Sequence, residues 1–115
     1  MSGIIFSIFL KINYKQKLSL TSSFKYKDII VPKGFSFDGN TVPRWARFFI
    51  GQYEYIQASC IHDYLYNKDT NYLNISRYEA DNIYKVMLID MGFDKYKAMV
   101  CYYLIRLIGF RRFRK

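Results

Sequence analysis

The segment SRYEADNIYKVML, residues 76–88, specifies an amphipathic helix and marks where that helix begins. Ser76 and Glu79 form an S-x-x-E capping box, in which each side chain can accept a hydrogen bond from a free backbone N–H of the first turn. Apolar residues then recur at helical spacing through Ala80–Met87. Gly92 suits the left-handed residue that follows many helices, so we predict a helix that begins at Ser76 and stops before Gly92.

Two further helices are predicted on either side of this one. Upstream, apolar residues recur at helical spacing from Tyr53 to about Asn67. Downstream, Asp94 can cap a third helix whose apolar positions continue to Ile108, and Gly109 can end it. Each helix has one apolar side, so the three are expected to pack against one another.

Ahead of the helices the pattern changes to rough alternation of apolar and polar residues. This alternation predicts strands at Ile4–Ile12, Lys17–Leu20 and Phe24–Val31. Residues 33–52 then contain the Gly, Pro, Asp and Asn that are typical of loops. The sequence therefore predicts an α+β fold, with a small N-terminal antiparallel β-sheet, a motif-bearing loop and three packed α-helices.

The length of 115 residues suits one domain with one hydrophobic core. We expect a single domain over residues 1–115. Its parts are a β-sheet part at 1–32, a loop at 33–52, a helical part at 53–109 and a basic tail at 110–115.

The charge balance is strongly basic. Lys and Arg number 18 against 9 Asp and Glu, which gives a net charge of +9. A positive field favours anionic partners such as nucleic acid, phosphate or lipid headgroups. No recognised nucleic-acid reader motif accompanies the charge, so we weight solubility above a dedicated nucleic-acid surface. Nucleic-acid binding through the tail at 110–115 stays as a weaker alternative.

Cysteine usage and hydropathy bear on the cellular compartment. Cys60 and Cys101 both lie in apolar surroundings, which fits buried thiols in a reducing compartment better than a disulfide framework. Residues 1–10 lack the features of a signal peptide. Charged residues or Asn interrupt every apolar run, so no membrane span is expected. A cytoplasmic location is the resulting expectation.

The densest chemistry lies on the first predicted helix. His62, the only histidine of the chain, shares one helix face with Ser59 and Tyr66. Asp63 projects about 100° further round and can border the same pocket. Antiparallel packing of the next helix could bring Asp81 near His62. In that arrangement His62 would act as a general base on water, Asp81 would fix its tautomer, and Asp63 would polarise the substrate or hold a cation.

The preceding loop supplies three more candidate residues. Asp38 could join Asp63 as a metal ligand, and oxygen ligands favour calcium or magnesium over zinc. Thr41 could hydrogen-bond the neighbouring backbone or a ligand. Arg44 could pair with a phosphate or a nucleobase.

A structural interpretation of the same residues is equally open. A solitary histidine on a helix is more often a hydrogen-bonded structural residue than a catalyst. Asp81 could simply favour the N-terminus of its helix, and Asp38 could form an Asx turn. His62, Asp81 and Asp38 would then form a buried polar network that joins the loop to the helices.

Four ordered segments of the chain resemble a family of small phage and prophage proteins known as domain of unknown function 1353. The family pattern reads V-P-x-G-F, D-x-x-S-V-P, H-D-x-L-Y and S-R-x-E-A-D. The matching segments here are Val31–Phe35, Asp38–Arg44, Ala58–Tyr66 and Ser76–Asp81. Thr41 stands where the family usually has Ser, and it keeps the hydroxyl. The resemblance extends over about Ile29–Gly109.

The resemblance implies a phage or prophage setting, in the cytoplasm of an infected or lysogenic host cell. The motif positions that it carries over are Asp38, His62, Asp63, Tyr66 and Asp81. It implies no established activity. The expected function is a phage accessory protein of unassigned activity with a hydrolase-like His/Asp site formed by His62, Asp63, Asp81 and Asp38, for which metal-assisted hydrolysis is the candidate reaction. The alternative is a non-enzymatic module that binds a host or phage protein, with the same residues as a structural network.

Overall fold

The computed structural model describes residues 10–12, 18–37, 55–67 and 69–109. Within these residues, five short strands come before three helices. The strands are β1 (Leu10–Ile12), β2 (Leu18–Leu20), β3 (Phe24–Tyr26), β4 (Ile29–Val31) and β5 (Ser36–Phe37). The helices are α1 (Ile56–Tyr66), α2 (Arg77–Asp90) and α3 (Lys95–Ile108). This order confirms the predicted α+β fold.

The strands form two antiparallel sheets. β2 lies between β1 and β5, with Leu20 opposite Leu10 and Leu18 opposite Phe37. β5 lies at the start of the segment that was expected to be loop, and it joins the sheet because Phe37 packs into the core. The part of the first predicted strand before Leu10, and Lys17 at the start of the second, lie outside the described residues.

The second sheet is a hairpin of β3 and β4, in which Phe24 faces Val31 and Tyr26 faces Ile29. The prediction of one continuous strand from Phe24 to Val31 is therefore wrong. The chain reverses at Lys27 and Asp28, where Lys27 has a φ of 52°. Two-residue hairpin turns need residues with positive φ, which are usually Gly or Asn. Neither residue type occurs at Lys27 and Asp28, so the sequence did not indicate a turn here.

The predicted helix ends are confirmed at α2 and α3. The Ser76 hydroxyl accepts a hydrogen bond from the Glu79 backbone N–H at 3.1 Å, and the Asp94 carboxylate accepts one from Lys97 at 2.9 Å. Gly92 follows α2 with a φ of 100°. The predicted start of α1 at Tyr53 lies outside the described residues, and its end at Tyr66 agrees with the prediction.

The three helices pack with α2 at the centre. α2 contacts both α1 and α3, and α1 also contacts β4. Nine of the eleven α1 residues are buried, so polar side chains on this helix must find partners inside the protein. Cys60 and Cys101 are free thiols in this core, as predicted. Among the described residues, no helix has the length and apolar character needed to cross a membrane.

Candidate functional site

The Asp81 carboxylate lies at the junction of α1 and α2, and the structure leaves none of its side chain exposed. Its Oδ1 lies 2.8 Å from His62 Nε2 and also accepts a hydrogen bond from the Tyr66 hydroxyl. His62 and Tyr66 are four residues apart on α1, so one helix face presents both groups to the same oxygen. The predicted approach of Asp81 to His62 is therefore what the structure shows.

Two arginines approach the other oxygen of this carboxylate. Arg106 on α3 donates a hydrogen bond from Nη1 to Asp81 Oδ2 at 3.0 Å. Arg77, one turn before Asp81 on α2, places its Nε 3.9 Å from Oδ2. We call Asp81, His62, Tyr66, Arg77 and Arg106 the Asp81 cluster. The cluster joins all three helices at one buried charge.

Arg77 also holds the end of α3. Its Nη2 donates to the backbone carbonyl of Ile105 at 2.9 Å and to that of Arg106. The Ile105 carbonyl also accepts a hydrogen bond from the Gly109 backbone N–H. A cation beside the carbonyls of the last turns complements the helix dipole.

The surroundings keep Asp81 ionised. Burial alone would raise its pKa, but hydrogen bonds from His62 and Tyr66, the charge of His62 and the bond from Arg106 together lower it. Because an ionised carboxylate can only accept hydrogen bonds, His62 Nε2 carries the hydrogen in this pair. Burial and the hydrogen bond to Asp81 raise the pKa of Tyr66, so its phenol stays protonated and donates.

Aromatic rings enclose His62, whose side chain is 2% exposed. The Tyr66 ring lies 4.0 Å from the imidazole, centroid to centroid, and the Tyr84 ring lies 5.2 Å away. Burial raises the pKa of Tyr84, and a hydrogen bond with Ser59 opposes that shift. The predicted face of Ser59, His62 and Tyr66 therefore exists, and all three residues are buried on it.

Gly109 allows the end of α3 to approach Tyr66. A Cβ atom at this position would lie 2.6 Å from the Tyr66 hydroxyl oxygen and 3.2 Å from its ring. Its φ of −73° is open to any residue, so the glycine is required by the close approach and not by backbone conformation. The sequence predicted Gly109 only as a helix stop.

Two members of the Asp81 cluster, Arg77 and Arg106, and the neighbouring Tyr84 were not among the predicted site residues. Arg77 and Tyr84 lie four residues before and three residues after Asp81, so their spacing on α2 could have indicated a shared face. Arg106 lies 25 residues after Asp81 in the sequence. No local pattern connects it to Asp81.

Asp63 lies half-buried on α1. Burial raises the pKa of the Cys60 thiol, and the charge of Asp63 adds to that shift. The other predicted binding residues, Asp38, Thr41 and Arg44, lie outside the described residues. Among the residues that the structure does describe, no group of three His, Cys, Asp or Glu side chains is placed to hold a metal ion.

A cavity of about 380 Å³ lies between the β3–β4 hairpin and α2. Its lining is mainly apolar and includes Ile29, Leu73, Ile83 and Val86, with Lys27 among the polar residues. No member of the Asp81 cluster lines it.

Comparison with known proteins identifies the family. The family model described as "Protein of unknown function (DUF1353)" matches residues 12–105, from the end of β1 to the last turns of α3. No curated protein and no solved structure gives a match. The family match spans well over half of the chain and includes every residue of the Asp81 cluster except Arg106. The chain therefore belongs to the DUF1353 family of proteins of unknown function.

Proposed function

We propose that this protein is a non-enzymatic accessory protein that acts by binding a partner protein, and that the Asp81 cluster is the structural network that holds its helices together. The observation that carries this proposal is the Asp81 carboxylate. It is wholly buried, and it accepts hydrogen bonds from His62 and Tyr66 on α1 and from Arg106 on α3.

Burial of a charged group is costly unless the charge is paired and its hydrogen-bonding capacity is used. Both oxygens of Asp81 have donors, and those donors come from two other helices. If α1 or α3 were displaced, the Asp81 carboxylate would therefore remain buried but would lose hydrogen-bond donors. Such a cluster favours one arrangement of α1, α2 and α3 over shifted alternatives.

The environment of His62 also favours a structural role. A general base has to touch the substrate or the attacking water. His62 is 2% exposed and contacts the rings of Tyr66 and Tyr84. Its Nε2 is occupied by Asp81.

The family resemblance supports a phage or prophage setting for this role. The partner would then be a host or phage protein, met in the cytoplasm of an infected or lysogenic cell. The net charge of +9 supports an acidic partner in preference to a basic one.

A metal-assisted hydrolase is the second candidate, and the His62–Asp81 pair is the observation that favours it. A carboxylate 2.8 Å from one imidazole nitrogen fixes the tautomer and orientation of a histidine, as in hydrolytic sites that use His as a base. Asp63 and Asp38 would hold calcium or magnesium in this mechanism. His62, Asp63 and Asp81 would be the catalytic residues.

Substitutions in the Asp81 cluster test the structural role. We expect Asp81→Asn to lower the free energy of unfolding by about 3 kcal/mol, because it leaves Arg106 and Arg77 without their counter-charge. His62→Ala should lower it by about 1–3 kcal/mol. The exposed Asp69→Asn is the matched control and should change stability by less than about 0.5 kcal/mol. Urea unfolding at neutral pH measures all three.

The hydrolase becomes the working hypothesis if Asp81→Asn and His62→Ala unfold at the same urea concentration as the wild type. Calorimetric titration with calcium and magnesium would then be decisive. Specific binding that is lost in His62→Ala and Asp63→Asn would support a metal-assisted site. Absence of heat in the wild type, together with early unfolding of the cluster variants, supports the structural network.

A further inference from the structure

The outer face of α3 carries a stripe of exposed apolar side chains. Tyr96, Val100, Tyr103 and Leu107 are 70%, 47%, 58% and 72% exposed. The opposite face of α3 is buried through Ala98, Cys101 and Ile105. We call the four exposed residues the α3 stripe. A continuous line of large apolar side chains on one helix face is unusual for a surface that meets only water.

The spacing of the α3 stripe suits a partner helix. From Tyr96 the intervals are four, three and four residues, which places the side chains at alternating d and a positions of a heptad. In a coiled coil these positions insert between side chains of the facing helix. The helix has 14 residues, which is about 21 Å and corresponds to two heptads.

The charges beside the α3 stripe have one sign. All charged residues within α3 are basic, namely Lys95, Lys97 and Arg106. Lys95 places its ammonium 5.5 Å from the centre of the Tyr96 ring, next to the stripe. Arg106 is engaged by Asp81, so Lys95 and Lys97 supply the positive edge at the N-terminal end of the stripe. A complementary partner would bring carboxylates to these positions.

We propose that the α3 stripe is the docking surface for an acidic amphipathic helix of a partner protein. This inference rests on the proposed binding function and names the surface and the partner chemistry. A second copy of the chain fits less well, because parallel pairing would place Lys95 and Lys97 opposite their own copies and antiparallel pairing would place them opposite the end that carries Arg106. Either orientation would also join two molecules of net charge +9. A lipid surface fits less well, because two of the four stripe residues are tyrosines, which keep a polar hydroxyl on the apolar face.

A synthetic peptide provides the probe. It has three heptads with Leu at a and d and Glu at e and g, and the Glu residues discourage its self-association. One matched peptide carries Lys in place of Glu, and another has the same composition in scrambled order. Binding to the full chain is measured by calorimetry at low salt. We expect the Glu peptide to bind at least about tenfold tighter than either matched peptide.

Variants of the chain locate the binding surface. We expect Leu107→Ser and Tyr103→Ser each to weaken binding of the Glu peptide by about tenfold. Ile30→Ser, at an exposed apolar position on β4, is the matched control and should leave binding unchanged. Circular dichroism and urea unfolding confirm that the variants keep the wild-type fold.

Four outcomes would overturn the docking proposal. The first two are equal binding of the Glu and scrambled peptides, and wild-type binding by Leu107→Ser. The third is that the wild type does not bind the peptide but sediments with phosphatidylserine vesicles, whereas Leu107→Ser does not sediment, which would assign the stripe to a membrane surface. The fourth is that the wild type self-associates and Leu107→Ser does not, which would assign the stripe to a second copy of the chain. None of these alters the unfolding test of Asp81→Asn, so the docking surface and the structural network can fail separately.

Discussion

At the scale of single residues, the charge of Asp81 is the property on which the helix arrangement depends. The carboxylate is wholly buried and nevertheless stays ionised, because His62, Tyr66 and Arg106 supply hydrogen bonds and positive charge. Protonation would leave each of these donors with a weaker acceptor. The stability of the protein should therefore depend on pH in the acid range.

The sign of this dependence follows from the lowered pKa of Asp81. In the unfolded chain an aspartate titrates near pH 4, and in the folded protein Asp81 titrates below that value. Its contribution to stability is fully present above about pH 4 and is lost as the pH falls through the folded pKa. As the pH falls from roughly 5 to 2, the free energy of unfolding should therefore decrease less in Asp81→Asn than in the wild type. Urea unfolding at each pH measures this difference.

The exposed Asp69→Asn serves as the control for this pH series. It should reproduce the acid-side slope of the wild type. An Asp81→Asn variant whose stability falls as steeply as that of the wild type would show that other carboxylates account for the acid sensitivity.

At the scale of elements, the helices are positioned by their ends. α2 and α3 begin at side-chain caps, Ser76 and Asp94. The end of α3 is held from outside, where Arg77 binds its last carbonyls and Tyr66 packs against Gly109. The same two side chains belong to the Asp81 cluster, so the end of α3 and the buried charge are coupled.

Gly109→Ala tests this coupling. The added methyl group would overlap the Tyr66 hydroxyl, which the hydrogen bond to Asp81 holds in place. We expect a loss of about 1–3 kcal/mol in unfolding free energy, although alanine is the better residue for a helix. In a Tyr66→Phe background the nearest atom is gone, and the same substitution should cost less. Equal costs in both backgrounds would contradict the coupling.

At the scale of the whole molecule, the two free thiols report on the integrity of the core. Cys60 lies on α1 and Cys101 on α3, and both are buried. Burial raises the pKa of Cys101 to about 11 and raises that of Cys60 further. The thiolate is the reactive form, so both cysteines should be inert while the helices stay packed.

We expect a disulfide reagent such as Ellman's reagent to label both thiols only as fast as the protein opens. Asp81→Asn should increase the labelling rates of both thiols by a similar factor, because the Asp81 cluster joins the helices that bury them. Cys60→Ala and Cys101→Ala, each with one remaining thiol, separate the two rates. Rapid labelling of one thiol in the wild type would reveal local opening of its helix and would contradict a single cooperative core.

Much of the helical half could be predicted because its signals are local. The capping residues of α2 and α3 and the glycine after α2 act within a few residues of the helix ends. The hairpin turn at Lys27 and Asp28 was missed because Lys27 adopts a positive φ, which lysine rarely does. β5 was missed because its short pairing with β2 depends on a strand 17 residues earlier, as the contact between Ser19 and Ser36 shows.

The candidate site divides in the same way. His62 and Asp81 could be selected from the sequence, because helical spacing places His62 with Ser59 and Tyr66, and the next helix in the chain was expected to pack alongside. Two contacts of the buried network could not be selected in this way. The ring contact of Tyr84 with His62 depends on how α1 and α2 pack, and the hydrogen bond from Arg106 to Asp81 depends on where α3 lies.

The sequence by itself therefore determined the fold class, the helices and most of their ends, since short-range hydrogen bonds and apolar periodicity specify them. Only the tertiary structure decided that the Asp81 carboxylate is buried and that an arginine 25 residues away meets it. It also decided that one face of α3 stays exposed. The physical reason is that burial and charge pairing depend on how separate helices pack, and residues distant in the chain contribute to both.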